Sequence, residues 1–308
     1  MPLDTNILKY QAFLECVQRG SITAAARALS YSQSGVSRMI ADLEREWGVV
    51  LLDRGRGGAR LTSDGECLLS TVKEICEAHR RLRMQVDDLN GLRTGSIRMG
   101  VFSSVATHWL PHAISAFRAD YPDIDYELLT GDYAEIERWV AEGRVDLGFL
   151  PHRPTSRGLS FEELASDELL AVLPKGHPLA GRGSVEVAAL CDEQFILLEK
   201  GGDDEVTSIF SAAGLEARVC FTTWDDYAIM SMVESGLGIS ILPALILRRA
   251  PYRIEARHLD PCARRHIGVV RRAGGPLALA AERFLPYLAR GVAYEVDVTD
   301  CPGTRQLA

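Results

Sequence analysis

Apolar positions at the N-terminal end recur at helical spacing. Ile7, Leu8, Phe13, Leu14 and Val17 share one face and the run stops at Gly20, which predicts a first helix. Ser21 then precedes an alanine-rich stretch from Thr23 to Leu29, a short helix whose small side chains let a neighbour approach closely. Ser30-x-x-Gln33 fits a capping box, with Ser32 as an alternative N-cap, and Val36, Met39, Ile40 and Leu43 mark the buried stripe of a third helix. Three short helices in such quick succession make a helix-turn-helix layout. The pattern then changes. Val49 to Leu52 is apolar, Asp53 to Arg60 is a glycine-rich basic turn and Leu61-Thr62 a return leg, which together predict a small hairpin, or wing, carrying Arg54, Arg56 and Arg60.

From Leu68 onward, the seam positions Leu68, Val72, Ile75, His79, Leu82, Val86 and Leu89 alternate steps of four and three. That spacing predicts a long helix that pairs with a copy of itself. His79 is the polar member of this seam, read either as a register-setting residue or as a half-exposed histidine near its edge. The helix ends near Asn90-Gly91, and Arg93-Thr-Gly95 reads as a hinge. Beyond it, short strands alternate with amphipathic helices. The strands are expected at 97–102, 125–129, 146–150, 169–173, 194–198, 218–222, 238–242 and 266–271, with helices such as 111–119 and 134–142 between them. Such alternation predicts α/β layers with mainly parallel sheets, divided into two Rossmann-like sub-domains with a ligand cleft between them. The expected organisation is residues 1–65 for an all-α winged helix-turn-helix and 66–92 for the linker helix. An effector-binding domain follows at 93–300, with sub-domain I at 93–163 and 267–300 and sub-domain II at 164–266, and 301–308 is a tail.

Charge sharpens this division. The 308 residues carry a net charge of −8, all of it beyond residue 92, whereas the first 60 residues are net basic. A polyanion therefore belongs at the N-terminal end. The seven cysteines are scattered and odd in number, which suits a reducing compartment and removes CxxC metal and redox motifs. The opening MPLDTN lacks a basic region followed by an apolar run, and the longest uncharged stretch, 99–117, carries two histidines and a proline. A cytoplasmic protein without a membrane span is expected.

In a helix that begins at Ser32, residues Gln33, Ser34, Ser37 and Arg38 fall on or near one face. Glutamine bonds adenine bidentately and arginine guanine, while serines reach bases or phosphates. With two preceding helices and an arginine-bearing wing, this set points to DNA. The candidate DNA-binding residues are Thr23, Gln33, Ser34, Ser37, Arg38, Arg54, Arg56 and Arg60. In the C-terminal part, Phe102-Ser103-Ser104 places hydroxyls after a strand and before a helix, where free amides favour an anion such as a carboxylate. Thr130, Pro151-His152, Gly202 and Thr223-Trp224 likewise follow strands. The candidate effector-binding residues are therefore Ser103, Ser104, Thr130, Pro151, His152, Gly202, Thr223 and Trp224. His152 reads equally well as a ligand contact and as a surface loop histidine. Asp132-x-x-Glu135 reads as a capping box, and Glu199 to Glu205 as a solvated loop and helix start.

These residues also carry a resemblance. Phe13-x-x-x-Val17, Gly20-Ser21-Ile22-Thr23-x-Ala25-Ala26-x-x-Leu29, Ser32-Gln33-Ser34-x-Val36-Ser37, Leu43-Glu44, Gly48-x-x-Leu51-Leu52-x-Arg54 and Leu61-Thr62-x-x-Gly65 resemble the winged helix-turn-helix of LysR-type transcriptional regulators. More loosely, Leu110-Pro111, Tyr121-Pro122, Val145-Asp146-Leu147-Gly148, His177-Pro178-Leu179 and the run from Gly236 to Pro243 resemble that family's effector domain, which is similar to type 2 periplasmic binding proteins. Ser34-Gly35 and Leu52 depart from the usual pattern. The resemblance implies homo-oligomers built as dimers of dimers, an imperfect DNA dyad, a small-molecule effector of unknown identity with no other cofactor, and RNA polymerase as a further partner. The competing reading is an enzyme or solute-binding α/β domain with a DNA-binding appendage. Against it, the chain has no GxSxG, HExxH, P-loop or dinucleotide fingerprint, and Pro111 interrupts His108-x-x-x-His112.

Overall fold

The computed structural model describes residues 6–55, 58–89, 95–199, 205–274 and 277–300. They divide into two units, at Met1–Val86 and Asp87–Ala308. In the first, α1 (Ile7–Arg19), α2 (Ile22–Ala28) and α3 (Gln33–Trp47) precede a two-stranded antiparallel wing, β1 (Leu52–Gly55) and β2 (Gly58–Leu61), and then α4 (Ser63–Leu89). Ser32 caps α3 through a bond from the Gly35 amide at 3.0 Å, so the alternative cap holds rather than the box at Ser30. Phe13, Ala25, Val36, Ile40, Leu43 and Leu51 are fully buried and form the core.

Two further contacts account for the spacing of the later motif residues. The Glu44 carboxylate accepts the Leu51 and Leu52 amides at 2.9 and 3.1 Å, which pins the start of the wing to α3. Thr62 donates its hydroxyl to the Val50 carbonyl at 2.6 Å and accepts the Gly65 amide at 3.0 Å. A Cβ at Gly65 would lie 2.3 Å from the Leu51 carbonyl oxygen, so only glycine lets α4 start this close to the wing.

The sheet elements of the second unit are β3 (Gly95–Val101), β4 (Ile124–Thr130), β5 (Leu147–Leu150), β6 (Leu159–Pro174), β7 (Ser184–Glu186), β8 (Phe195–Leu198), β9 (Val219–Thr223), β10 (Ser240–Pro243) and β11 (Ile254–Arg272). The helices are α5 (Leu110–Asp120), preceded by a π-turn at Val105–Trp109, then α6 (Tyr133–Ala141), α7 (Val187–Leu190), α8 (Glu205–Ala212), α9 (Asp226–Glu234), α10 (Ala244–Leu247) and α11 (Leu279–Asp300).

One expectation is corrected here. The sheets are not mainly parallel, because β6 and β11 are far longer than the expected 169–173 and 266–271 and form an antiparallel spine that runs through the unit. Their apolar stretches cover only the buried ends, and alternation weakens where both faces are half exposed. The parallel pairs are β3 with β4 and β5, β8 with β9, and the short β7 with one end of β11. On the spine the register shifts between Ile267 and Gly268, opposite Ala165 and Glu163, which leaves Leu164 as an extra residue.

On one side of that irregularity, Ile97, Met99, Val101, Phe117, Leu147 and Phe149 are buried, and Phe284 of α11 meets Phe117 edge-on at 5.5 Å. On the other, two clusters form around Leu173, Val185, Phe195 and Ile241, and around Ile196, Ile229, Val233 and Leu242. Among the described residues, no helix is long and apolar enough to cross a membrane and no group of side chains suits a metal ion.

Candidate functional sites

Amphipathic packing decides which side of α3 is left outward. Val36, Ile40 and Leu43 are buried, so Gln33, Ser34 and Arg38 are exposed beside Ser37, which is half-buried. Ser34 shares a hydroxyl contact with Ser32 at 3.1 Å. Thr23 on α2 and Arg60 on β2 are exposed. Arg56 and the side chain of Arg54 lie outside the described residues.

The seam on α4 is split by the structure. Val72 is buried in the winged-helix core of this chain, and Leu68, half-buried, packs against that core. The hydrophobic core of such a small unit has to recruit the first turns of the following helix to close. Ile75, Leu82 and Val86 are exposed and His79 is half-buried, a stripe of the same four-three spacing. The side chain of Leu89 lies outside the described residues.

In the second unit two parallel pairs of strands, β3 with β4 and β8 with β9, end at one cleft. Phe102 and Ser103 follow β3, Thr130 closes β4 and leads into Gly131 and Asp132, Glu199 follows β8, and Trp224 follows β9. With Glu135 these residues line a cavity of about 320 Å³. Loops beyond the carboxyl ends of parallel strands are where α/β folds hold ligands. Asp132 and Glu135 form a reciprocal capping box: the Asp132 carboxylate accepts the Glu135 amide at 2.7 Å, and the Glu135 carboxylate accepts the Asp132 amide at 3.3 Å. A Cβ at Gly131 would lie 2.5 Å from the Trp139 ring, so the turn that aims these acids requires glycine.

The other expected effector residues are not gathered there. Ser104 is 2% exposed and accepts a bond from Arg265 at 2.9 Å, so it faces the interior instead of the cavity. Pro151 and His152 line a second, wider groove of about 840 Å³ with Arg153, Phe161, Glu163, Arg264 and His266. The His152 Nδ1 lies 3.0 Å from the Arg153 carbonyl oxygen. The Thr223 hydroxyl accepts the Asp225 amide at 3.3 Å, a local turn contact. Gly202 lies outside the described residues.

The same wider groove is lined by Glu205 and Arg265, which belong to a polar cluster that the sequence reading missed. Arg265 stands opposite Asp167 on the β11–β6 ladder and donates to its carboxylate at 2.9 and 2.7 Å from Nε and Nη2. It also donates to the Tyr133 hydroxyl at 3.4 Å, lies 3.9 Å from Glu205, and stacks over the Phe102 ring at 5.2 Å. The second Asp167 oxygen accepts the Leu245 amide at 2.9 Å. Burial works against the Arg265 charge, but the Glu205 and Asp167 carboxylates outweigh it and raise its pKa. Burial likewise pushes the Tyr133 phenol well above its ordinary range, with Glu205 adding to the shift. Asp167 and Arg265 sit among polar neighbours, Ser166 with Glu168 and Arg264 with His266, just outside the expected strands, so the sequence offered no alternation to single them out.

Comparison with known proteins gives matches across nearly the whole chain. A model described as bacterial regulatory helix-turn-helix protein, lysR family, matches residues 7–66, and one described as LysR substrate binding domain matches residues 90–293. The chain is 36% identical over 296 residues to the probable HTH-type transcriptional regulator LrrA of Synechococcus elongatus, covering 96% of this chain and 99% of that one. It is 31% identical to the HTH-type transcriptional regulator CbbR of Rhizobium meliloti, covering 89% and 90%. Among solved structures it is similar in fold to CbnR, a LysR family transcriptional regulator, with a TM-score of 0.66 at 22% identity over 94% of this chain and 99% of that one. It is also similar to full-length CbnR complexed with its target DNA, at a TM-score of 0.54, 22% identity and coverage of 94% and 100%.

Proposed function

This chain belongs to the LysR family of transcriptional regulators, and from that premise we propose how its residues divide the work. The protein is a DNA-binding regulator, not an enzyme. Family members bind DNA and small-molecule effectors and form oligomers. In this chain α3 enters the major groove with Gln33, Ser34 and Arg38 toward base edges, and Ser37 beside them. Thr23, Arg54, Arg56 and Arg60 meet the phosphate backbone. The observation that carries this reading is the orientation of α3, which buries Val36, Ile40 and Leu43 fully while Gln33, Ser34 and Arg38 are exposed.

Two copies pair along α4 through Ile75, His79, Leu82 and Val86, which makes the DNA site a dyad. A small molecule enters the cleft of Ser103, Thr130 and Trp224 and biases the arrangement of the two sub-domains about the bulge at Leu164. Assembly as a dimer of dimers, contact with RNA polymerase and a cytoplasmic location belong to the same proposal and rest on family membership. The test is retention of full-length protein on the duplex upstream of its own gene. A specific site should be preferred to scrambled duplex by ~10³ or more at moderate salt. Equal affinity for both, with and without small metabolites, overturns the reading.

A further inference from the structure

The strand ends locate the effector cleft; its side chains decide which chemistry enters it. This step rests on the effector reading above. Three of the residues that line the cleft, Asp132, Glu135 and Glu199, are carboxylates, and no lysine, arginine or histidine is among the described lining residues. Asp132 and Glu135 each commit one oxygen to the capping box. Glu199 is exposed, and its backbone amide is tied to the Thr223 carbonyl at 3.0 Å, which fixes the residue at the cleft mouth.

Arg265, which stacks over the cleft residue Phe102, is buried, bonded to Ser104 and balanced by Asp167 and Glu205. Arg138 offsets Glu135 at 3.7 Å, but an anionic effector would still meet the Asp132 and Glu199 carboxylates. On the fourth side Trp224 is 73% exposed. A large aromatic face beside carboxylates is the arrangement that holds an organic cation.

We propose that the effector carries a cationic amine or guanidine group. Glu199 and the Asp132–Glu135 pair hold the charge, the Trp224 ring covers its face, and the hydroxyls of Ser103 and Thr130 bond its neutral polar atoms. This replaces the carboxylate expected from the Ser103-Ser104 turn, since Ser104 is committed to Arg265.

The test uses matched probes on the full-length protein, with titration calorimetry and retention of its own upstream duplex as readouts. Benzamidine is set against benzoate, and agmatine and putrescine against glutarate. The cations are expected to bind at least about tenfold tighter than their acidic counterparts, with Glu199→Gln removing about tenfold of that affinity and Trp224→Ala about threefold or more. Benzoate or glutarate binding as tightly as the cations overturns the charge assignment. If such an acid also changes duplex retention, the effector reading survives and only the ligand class is wrong. If no probe of either sign binds or alters retention, the charge assignment and the effector reading fall together.

Discussion

Arg265 is held by more contacts than any surface function would need. The residue is 3% exposed, and its guanidinium meets Asp167, Ser104, Tyr133 and Glu205, which come from β6, the turn after β3, α6 and α8. A buried pair of this kind offsets its own desolvation only while both partners remain, so it specifies geometry more than it adds stability. Asp167→Ala should destabilise the second unit by ~3–5 kcal/mol, because it leaves a buried charge without its carboxylate and the Leu245 amide without its acceptor. The double replacement Asp167→Leu with Arg265→Met should recover the part of that loss due to the unpaired charge, but not the part due to the Leu245 amide. Chemical denaturation of the two variants checks this, and a double variant no more stable than the single one would refute it.

Among the elements, α4 does two jobs along one helix. Its first turns close the winged-helix core through Val72 and Leu68, and its later turns present Ile75, Leu82 and Val86 outward. A long helix with an uncovered apolar stripe at four-three spacing gains most by pairing with a copy of itself. Burying a leucine is worth about 1.5–3 kcal/mol, and a symmetric dimer buries two. Leu82→Glu should therefore raise the dimer dissociation constant at least ~100-fold in sedimentation equilibrium while the winged helix stays folded. Val72→Asp should do the opposite and unfold the winged helix, because that side chain is buried. If both variants leave the association state unchanged, α4 is not the pairing element.

For the whole molecule, the uneven charge has a measurable consequence. The net −8 lies wholly beyond residue 92, so DNA affinity has to come from local cations at the N-terminal end, against a repulsive background. Binding should therefore fall steeply with salt. Arg60→Ala in a dimer removes two phosphate contacts and should flatten the slope of log affinity against log salt by about 2, on scrambled and specific duplex alike. Arg38→Ala should instead cost ~1–3 kcal/mol on the specific site only. Gel retention across a salt series separates the two, and an equal effect of both variants on every duplex would remove Arg38 from base readout.

Local order was legible in the sequence wherever a feature depends on residues near one another in the chain. The helical stripe through Val36, Ile40 and Leu43, the box at Asp132 and Glu135, the wing and the four-three spacing on α4 all follow from periodicity and short-range hydrogen bonding. Which side a helix face turns to, and which distant groups meet, were not local questions. The burial of Val72, the diversion of Ser104 to Arg265 and the separation of Pro151 and His152 from Ser103 are tertiary outcomes. The diversion of Ser104 depends on pairing between β6 and β11, whose partners lie about a hundred residues apart. The charge of the cleft was hidden for the same reason. Asp132 and Glu199 are innocuous in their own segments, and only the sheets bring them to one cavity.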